Sequence, residues 1–319
     1  MHRWSSLSQI PADLGPTVVT LGNFDGVHRG HRAVLQAALE LAAGRDAQTV
    51  AVTFDPHPVA VLHPDRAPVA VTSLEHRLDL LEEVGLDAVL VQEFTRELAA
   101  MTPEEYVETV FVDALHACAV VVGEDVRFGR RNCGDAGTLR ELGERHGFEV
   151  VTLSDRGDDR RWSSSMVREQ LLAGDVAGAA AVLGRPHRVV GTVVHGDHRG
   201  RELGYPTANL SPDAYGLVPA DGVYAGWLVR LDRGAGDADR ALPAAVSVGT
   251  NPTFDGTERR VEAYVLDRTD LDLYGERVAV ELVEHLRPTL RFGSVDELLA
   301  VMADDVARCR AVLSSIVPG

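Results

Sequence analysis

Cysteine is scarce: the 319-residue chain has three, Cys118, Cys133 and Cys309, at spacings that suggest no pairing. This argues against a disulfide framework or a cysteine zinc site and fits a reducing compartment. Basic side chains are in deficit as well, 31 against 48 acidic, for a net charge of −17. A field of that sign repels a nucleic-acid backbone or an anionic membrane, so neither is expected as a partner. A local phosphate site stays open, because backbone N–H groups can build one inside an acidic protein. No apolar run approaches the roughly 20 residues that span a bilayer. The first residues, MHRWSSLSQIPADLG, lack the apolar core of a secretory signal. A cytoplasmic protein is the expectation, and no internal repeat is visible.

What is present is ordinary material for packed cores, 45% hydrophobic and 25% charged. The length suggests two domains of roughly 150 residues. Up to about Leu183, short β-rich runs alternate with amphipathic stretches. Thr17–Leu21, Thr49–Phe54, Ala88–Gln92, Ala119–Val122 and Glu149–Leu153 read as buried strands, and His31–Ala43 and Leu74–Val84 as helices. Thr72 with Glu75, and Thr102 with Pro103 and Glu105, read as capping boxes. The alternation predicts a parallel sheet covered on both faces, an α/β Rossmann-like domain over residues 1–184. Gly184-Arg185-Pro186 ends that grammar. Over residues 185–319, β-type runs at Arg188–Val194, Val223–Leu231, Ala244–Val248, Val261–Leu266 and Arg277–Leu286 predict an antiparallel β-barrel. A terminal helix, Ser294–Leu313, closes the chain, and Asp155–Arg161 and Arg233–Arg240 read as mobile loops.

Gly22–His31, GNFDGVHRGH, directly follows the first of these strands. Gly22, Gly26 and Gly30 allow tight turns and close approach of backbone to a ligand. His28 and His31 lie three apart where the chain enters a helix, so both can face a spot near its positive end. Imidazoles there can hydrogen-bond polyphosphate oxygens and stabilise charge that builds during nucleotidyl transfer. The alternative is a glycine turn with two solvated histidines; the flanking strand and helix favour the functional reading. Trp162–Arg168, WSSSMVR, opens a second helix. Ser164 and Ser165 offer hydroxyls and amides, and Arg168 a fork of donors. Alone this is a helix cap; with the histidines it makes the other half of a phosphate clamp. In TFDPHP, His57 is balanced between a functional role and a place in a rigid turn.

Gly191–Leu210, GTVVHGDHRGRELGYPTANL, is dense in ligand-loop residues. Thr207 and Asn209 alternate in an extended segment and would point to one side. A hydroxyl and an amide carbonyl are hard oxygen ligands suited to Mg²⁺. The competing reading is a polar turn. Glu262 sits among apolar neighbours; it is either a solvated edge glutamate or a carboxylate that takes the proton from a substrate hydroxyl.

GNFDGVHRGH, TFDPHP, VVGEDVRFG (Val121–Gly129) and WSSSMVR resemble the adenylyltransferase module of prokaryotic bifunctional riboflavin kinase/FAD synthetases. GTVVHGDHRGRELGYPTANL, VGTNPTF, VEAYVLD and LYGERVAVELVEHLRP resemble the riboflavin kinase module of that family, in order. The resemblance implies phosphorylation of riboflavin to FMN by Mg²⁺–ATP, then transfer of AMP from ATP to FMN, giving FAD and pyrophosphate. It implies that His28 and His31 stabilise the ATP phosphates, and that Asn23, Phe24 and Asp25 shape the nucleotide pocket. Asp125, Phe128 and Gly129 would line its adenine and flavin side, and Ser164, Ser165 and Arg168 would hold the triphosphate. In the second module it implies Thr207 and Asn209 as ligands of Mg²⁺–ATP, Glu262 as general base, and Gly200–Gly204 as part of a phosphate loop. Asn251–Phe254 would lie near the substrate and Arg287 near the flavin. Ser165 stands where the family usually has Thr, Met166 where many members have a polar or basic residue, and Tyr264 where His or Phe is frequent. The alternatives are a nucleotidyltransferase acting on another phosphorylated acceptor and a non-catalytic flavin-binding regulator.

Overall fold

A computed structural model describes residues 1–154, 162–196, 203–234, 236–253 and 256–316, the side chains of 251–253 and 256–258 excepted. The expected loop Asp155–Arg161 lies outside the described residues, as does Gly200. The chain divides into two compact bodies, Met1–Ser163 and Ser164–Gly319.

The first body is a six-stranded sheet of β1 (His2–Trp4), β2 (Thr17–Leu21), β3 (Gln48–Asp55), β4 (Ala88–Glu93), β5 (Ala117–Gly123) and β6 (Glu149–Leu153). The order is β1-β4-β3-β2-β5-β6, every pairing parallel. Consecutive residues Val18 and Val19, Ala51 and Val52, and Val120 and Val121 are fully buried. Burial on both faces explains why these strands read as unbroken apolar runs rather than alternating ones. Around the sheet lie α1 (Arg29–Ala43), α2 (Pro58–Leu62), α3 (Leu74–Val84), α4 (Arg96–Ala100), α5 (Pro103–Tyr106, continued by π-helical turns over Val107–Ala114) and α6 (Ala136–His146). The chain leaves β2 toward β3 on one side and returns to β5 on the other. That reversal puts the expected ligand crevice outside the carboxyl ends of β2 and β5.

Two details of capping differ. The Thr102–Glu105 box forms. At α3, however, Ser73 is the cap, its hydroxyl accepting from His76 N–H at 3.1 Å. Thr72 is diverted, because its hydroxyl accepts from Gly26 N–H at 3.2 Å, a demand set by the loop after β2.

The second body opens with α7 (Ser164–Leu172) and α8 (Val176–Leu183). A closed barrel follows, of β7 (His187–Val194), β8 (Thr207–Leu210), β9 (Gly222–Arg230), β10 (Ala241–Thr253), β11 (Gly256–Val265) and β12 (Arg277–Arg287). The barrel order is β10-β11-β8-β7-β12-β9, with antiparallel pairings. One parity of side chains fills it: Leu228, Val246, Ala263 and Val280 are fully buried. The other parity of β9, β10 and β11 meets α9 (Val295–Leu313), where Val306, Cys309 and Leu313 pack against Ala225, Leu266 and Leu286. α8 lies along β12 and β7. Ala220 N–H donates to the Leu171 carbonyl at 3.0 Å. The two helices that the sequence grammar groups with the first half therefore pack with the barrel. Arg233–Arg240, apart from residue 235, is a hydrogen-bonded turn held by Asp237 N–H to the Gly234 carbonyl and by Arg240 N–H to the Asp237 carbonyl, both 3.0 Å.

Candidate active sites

β2 ends at Leu21, and the chain turns sharply before α1. Phe24, Gly26 and Val27 all take positive φ, 48°, 80° and 39°. For a β-branched valine this is a rare conformation, of the strained kind that gathers at functional turns. Packing enforces it, since Phe24 is 1% exposed and Val27 fully buried. A Cβ on Gly22 would lie 3.1 Å from the Phe24 ring, which explains a small residue there. Asp25 staples the turn from within: its buried carboxylate accepts from Val71 N–H at 3.0 Å and Thr72 N–H at 3.1 Å. It thus shapes the loop through residues 71–72. The Asn23 carbonyl accepts from Thr53 Oγ1 at 3.1 Å and Arg77 Nη1 at 2.7 Å.

This scaffold delivers His28 to the N-cap of α1 and His31 to its first turn, with Gly30 buried between them. The rings stack, centroids 3.6 Å apart and 19° from parallel. Phe24 meets His31 edge-on at 5.3 Å. His28 Nδ1 accepts from His31 N–H at 3.3 Å, so a neutral His28 carries its proton on Nε2. Burial holds the pKa of His31 well below the ordinary histidine value, and the nearby charges of His28 and Arg77 add to this. Its Nδ1 is buried and meets no hydrogen-bond partner among the described residues. Two rings at the positive end of a helix, one presenting a donor, can engage anionic oxygen.

The remaining expected residues fall in different settings. His57 caps α2, its Nδ1 accepting from Val59 N–H at 3.2 Å, which is the turn reading of TFDPHP. Asp125 is exposed just beyond β5 and folds back so that a Cβ on Gly123 would meet its Oδ1 at 2.8 Å. Phe128, 5% exposed, belongs to the core with Tyr106 and Phe111 and bridges to Gly134 through both backbone groups. Gly129 (φ +69°) abuts Pro103, where a Cβ would lie 2.7 Å from the proline nitrogen. Ser164, Ser165 and Arg168 open α7 in the second body, with Ser165 exposed and Met166 between them. Arg77 was missed by sequence reasoning: on α3 it reads as an ordinary charged helix residue.

In the barrel, β8 and β11 pair Asn209 with Glu262 and Thr207 with Tyr264, so all four share a face. Thr207 Oγ1 donates to Glu262 Oε2 at 3.4 Å, and Asn209 Nδ2 donates to Thr207 Oγ1 at 3.2 Å. A Cβ on Gly196 would lie 2.5 Å from Asn209 Nδ2, so this residue must stay small for the amide to keep its place. The three side chains line a cavity of about 570 Å³ together with Gly204, Arg260 and Tyr274. That is the size of a cofactor site. Gly204 takes φ +86°. Asn251 lies on β10 opposite Glu258. The Tyr264 ring packs edge-on against Tyr205 at 5.1 Å. Arg287 does not line this cavity: its guanidinium clamps Asp305 of α9, Nη2 to Oδ2 at 2.7 Å and Nε to Oδ1 at 2.9 Å. Among the described residues, no three His, Cys, Asp or Glu side chains gather as a metal site. No helix among them is long and apolar enough to cross a membrane.

Comparison with known proteins also divides the chain in two, though its bounds leave most of α7 and α8 outside both parts. The FAD synthetase family model matches residues 10–166, and the riboflavin kinase model matches residues 183–313. The bifunctional riboflavin kinase/FMN adenylyltransferase of Escherichia coli K12 is 38% identical over 308 residues, 96% of this chain and 95% of the relative. That of Listeria monocytogenes is 34% identical over 302 residues, 94% and 93% of the two chains. A crystal structure described as a macrolide-efflux protein from Streptococcus pneumoniae superposes with a TM-score of 0.86 at 31% identity, covering 97% of this chain and 98% of its own. The chain belongs to the bifunctional riboflavin kinase/FMN adenylyltransferase family, transferases that make FMN from riboflavin and FAD from FMN.

Proposed function

We propose that the two reactions use the two constellations described above, with riboflavin phosphorylated on the barrel and FMN adenylylated at the β2–α1 turn. What carries this reading is the row Thr207–Asn209–Glu262, which converges on one cavity lined wholly by the second body. Glu262 takes the proton of the ribityl 5′-hydroxyl as that oxygen attacks the γ-phosphorus of ATP; ADP leaves and FMN remains. Thr207 and Asn209 supply hard oxygens, and the donor set fits Mg²⁺, which favours oxygen ligands and shares them with phosphates. A bound Mg²⁺ would supply charge neutralisation at the nucleotide phosphates.

At the other site a phosphate oxygen of FMN attacks the α-phosphorus of ATP and pyrophosphate leaves. His28 donates from Nε2 to a non-bridging oxygen, and His31 beside it gains proton affinity as anionic charge arrives. By the family resemblance, Ser164, Ser165 and Arg168 on α7 would hold the triphosphate. Asn23, Phe24 and Asp25 hold the turn, and Asp125 and Phe128 serve the pocket through the loop after β5. We assign the adenylyltransferase function to residues 1–184 and the kinase to 185–319, with α7 and α8 packing with the barrel. Three free cysteines support work in the cytoplasm.

Glu262→Gln tests the kinase assignment. With riboflavin and Mg²⁺–ATP, FMN formation falls by about 10²–10⁴-fold, while added FMN still becomes FAD. Kinase activity within about tenfold of wild type would remove Glu262 from the role of base.

A further inference from the structure

Arg77, on α3 of the first body, is 6% exposed, and neither reaction as written above uses it. Its Nη1 donates to the Asn23 carbonyl at 2.7 Å and its Nη2 to the Phe54 carbonyl at 3.2 Å. Asn23 follows β2 and begins the turn to the histidines; Phe54 is the penultimate residue of β3. One planar guanidinium therefore joins the carbonyl ends of two neighbouring strands at the edge of the ligand crevice. Its Nε finds no partner among the described residues, and the Asp55 carboxylate stands 4.0 Å from Nη2. An arginine so deeply placed is costly unless its position matters, and the lost solvation is only partly returned by two neutral carbonyls.

We propose that Arg77 is a positioning residue of the adenylylation site, locking β2 to β3 so that the strained turn presents His28 and His31 in register. The proposal rests on the assignment of those histidines to ATP phosphates. The geometry suits Arg and not Lys: two carbonyls are bridged at once by a rigid fork, which a single ammonium on a flexible stem reproduces poorly. The turn it holds contains Phe24 and Val27 at positive φ, conformations that need an external brace to persist. Charge adds to geometry. His31 is faced by His28 and Arg77, and Arg77 in turn by Asp25 and Asp55; burial does most to keep His31 unprotonated, and the charges of His28 and then Arg77 add to it.

Full-length Arg77→Met and Arg77→Lys test this by steady-state conversion of FMN to FAD, with phosphorylation of riboflavin measured on the same preparations. Displacement of reacting groups by an ångström costs about 10²-fold, so R77M loses kcat on that scale with KM for ATP little changed. R77K, which keeps the charge but not the fork, falls between R77M and wild type. Riboflavin phosphorylation is retained in both. Wild-type kcat in R77K and R77M overturns the proposal. So does a deficit confined to KM for ATP, which would make Arg77 a direct phosphate ligand. A deficit that vanishes once rates are scaled to the folded fraction of the first body, read by circular dichroism, reduces Arg77 to a structural role and also overturns it. Failure of the histidine assignment looks different: His28→Ala/His31→Ala then makes FAD normally, whatever Arg77 does.

Discussion

A histidine ring stacked on another ring and shielded from water resists protonation, and this gives His31 a measurable effect on stability. Its folded pKa lies well below the ordinary value near 6.5. Above that pH both folded and unfolded chains hold it neutral and it contributes no pH dependence. As pH falls below about 6.5 the unfolded chain binds a proton that the folded one refuses, so stability drops until the folded pKa is passed. His31→Gln should remove that component. The wild-type minus variant difference in unfolding free energy should shrink as pH falls from about 7.5 to about 5; a flat or rising difference would contradict the burial of His31. At this scale the sequence shows residue types more readily than partners. His28 and His31 were legible because HxGH spacing on a helix start fixes their neighbours. Asp25 was legible only as a pocket residue, since its bonds go to Val71 and Thr72, more than forty positions away. Arg77 was invisible for the same reason, its partners lying on two strands.

At the scale of elements, α9 is joined to the barrel by apolar packing and by the Arg287–Asp305 clamp, whose side chains are 15% and 6% exposed. Breaking one partner of so sheltered a pair strands the other, at about 3 kcal/mol. Asp305→Asn should lower the denaturant midpoint of the barrel by an amount equivalent to that cost; a shift under about 0.5 kcal/mol would mean that solvent already screens the pair. Motif position leads to the expectation that Arg287 lies near the flavin, but does not disclose its clamp on Asp305, eighteen residues later. Strand placement was readable from apolar β-rich runs, as in the buried Thr17–Leu21 and the half-buried edge strand Glu149–Leu153, which the structure reproduces residue for residue. β1 was not readable: three residues, His2–Trp4, form a strand only because the edge of β4 is there to pair with. The cap of α3 was misplaced by one residue because Thr72 answers a distant demand, Gly26 N–H, that local spacing cannot register.

For the whole molecule, the sequence grammar breaks at Gly184, while packing divides the chain at Ser163. The difference is α7 and α8, whose buried Val167, Leu171, Val176, Ala179, Val182 and Leu183 are apolar without showing which body they cover. A fragment of residues 164–319 should therefore melt above one of residues 185–319, and equal melting temperatures would deny these helices a structural part in the barrel. Two bodies, two family matches and two polar constellations converge on one central claim: separate sites act in succession on the same flavin. Chromatography of the flavins formed from riboflavin and Mg²⁺–ATP by full-length His28→Ala/His31→Ala tests it most directly. The account predicts FMN accumulating at the wild-type rate with no FAD; loss of both products, or FAD made as in wild type, would contradict it.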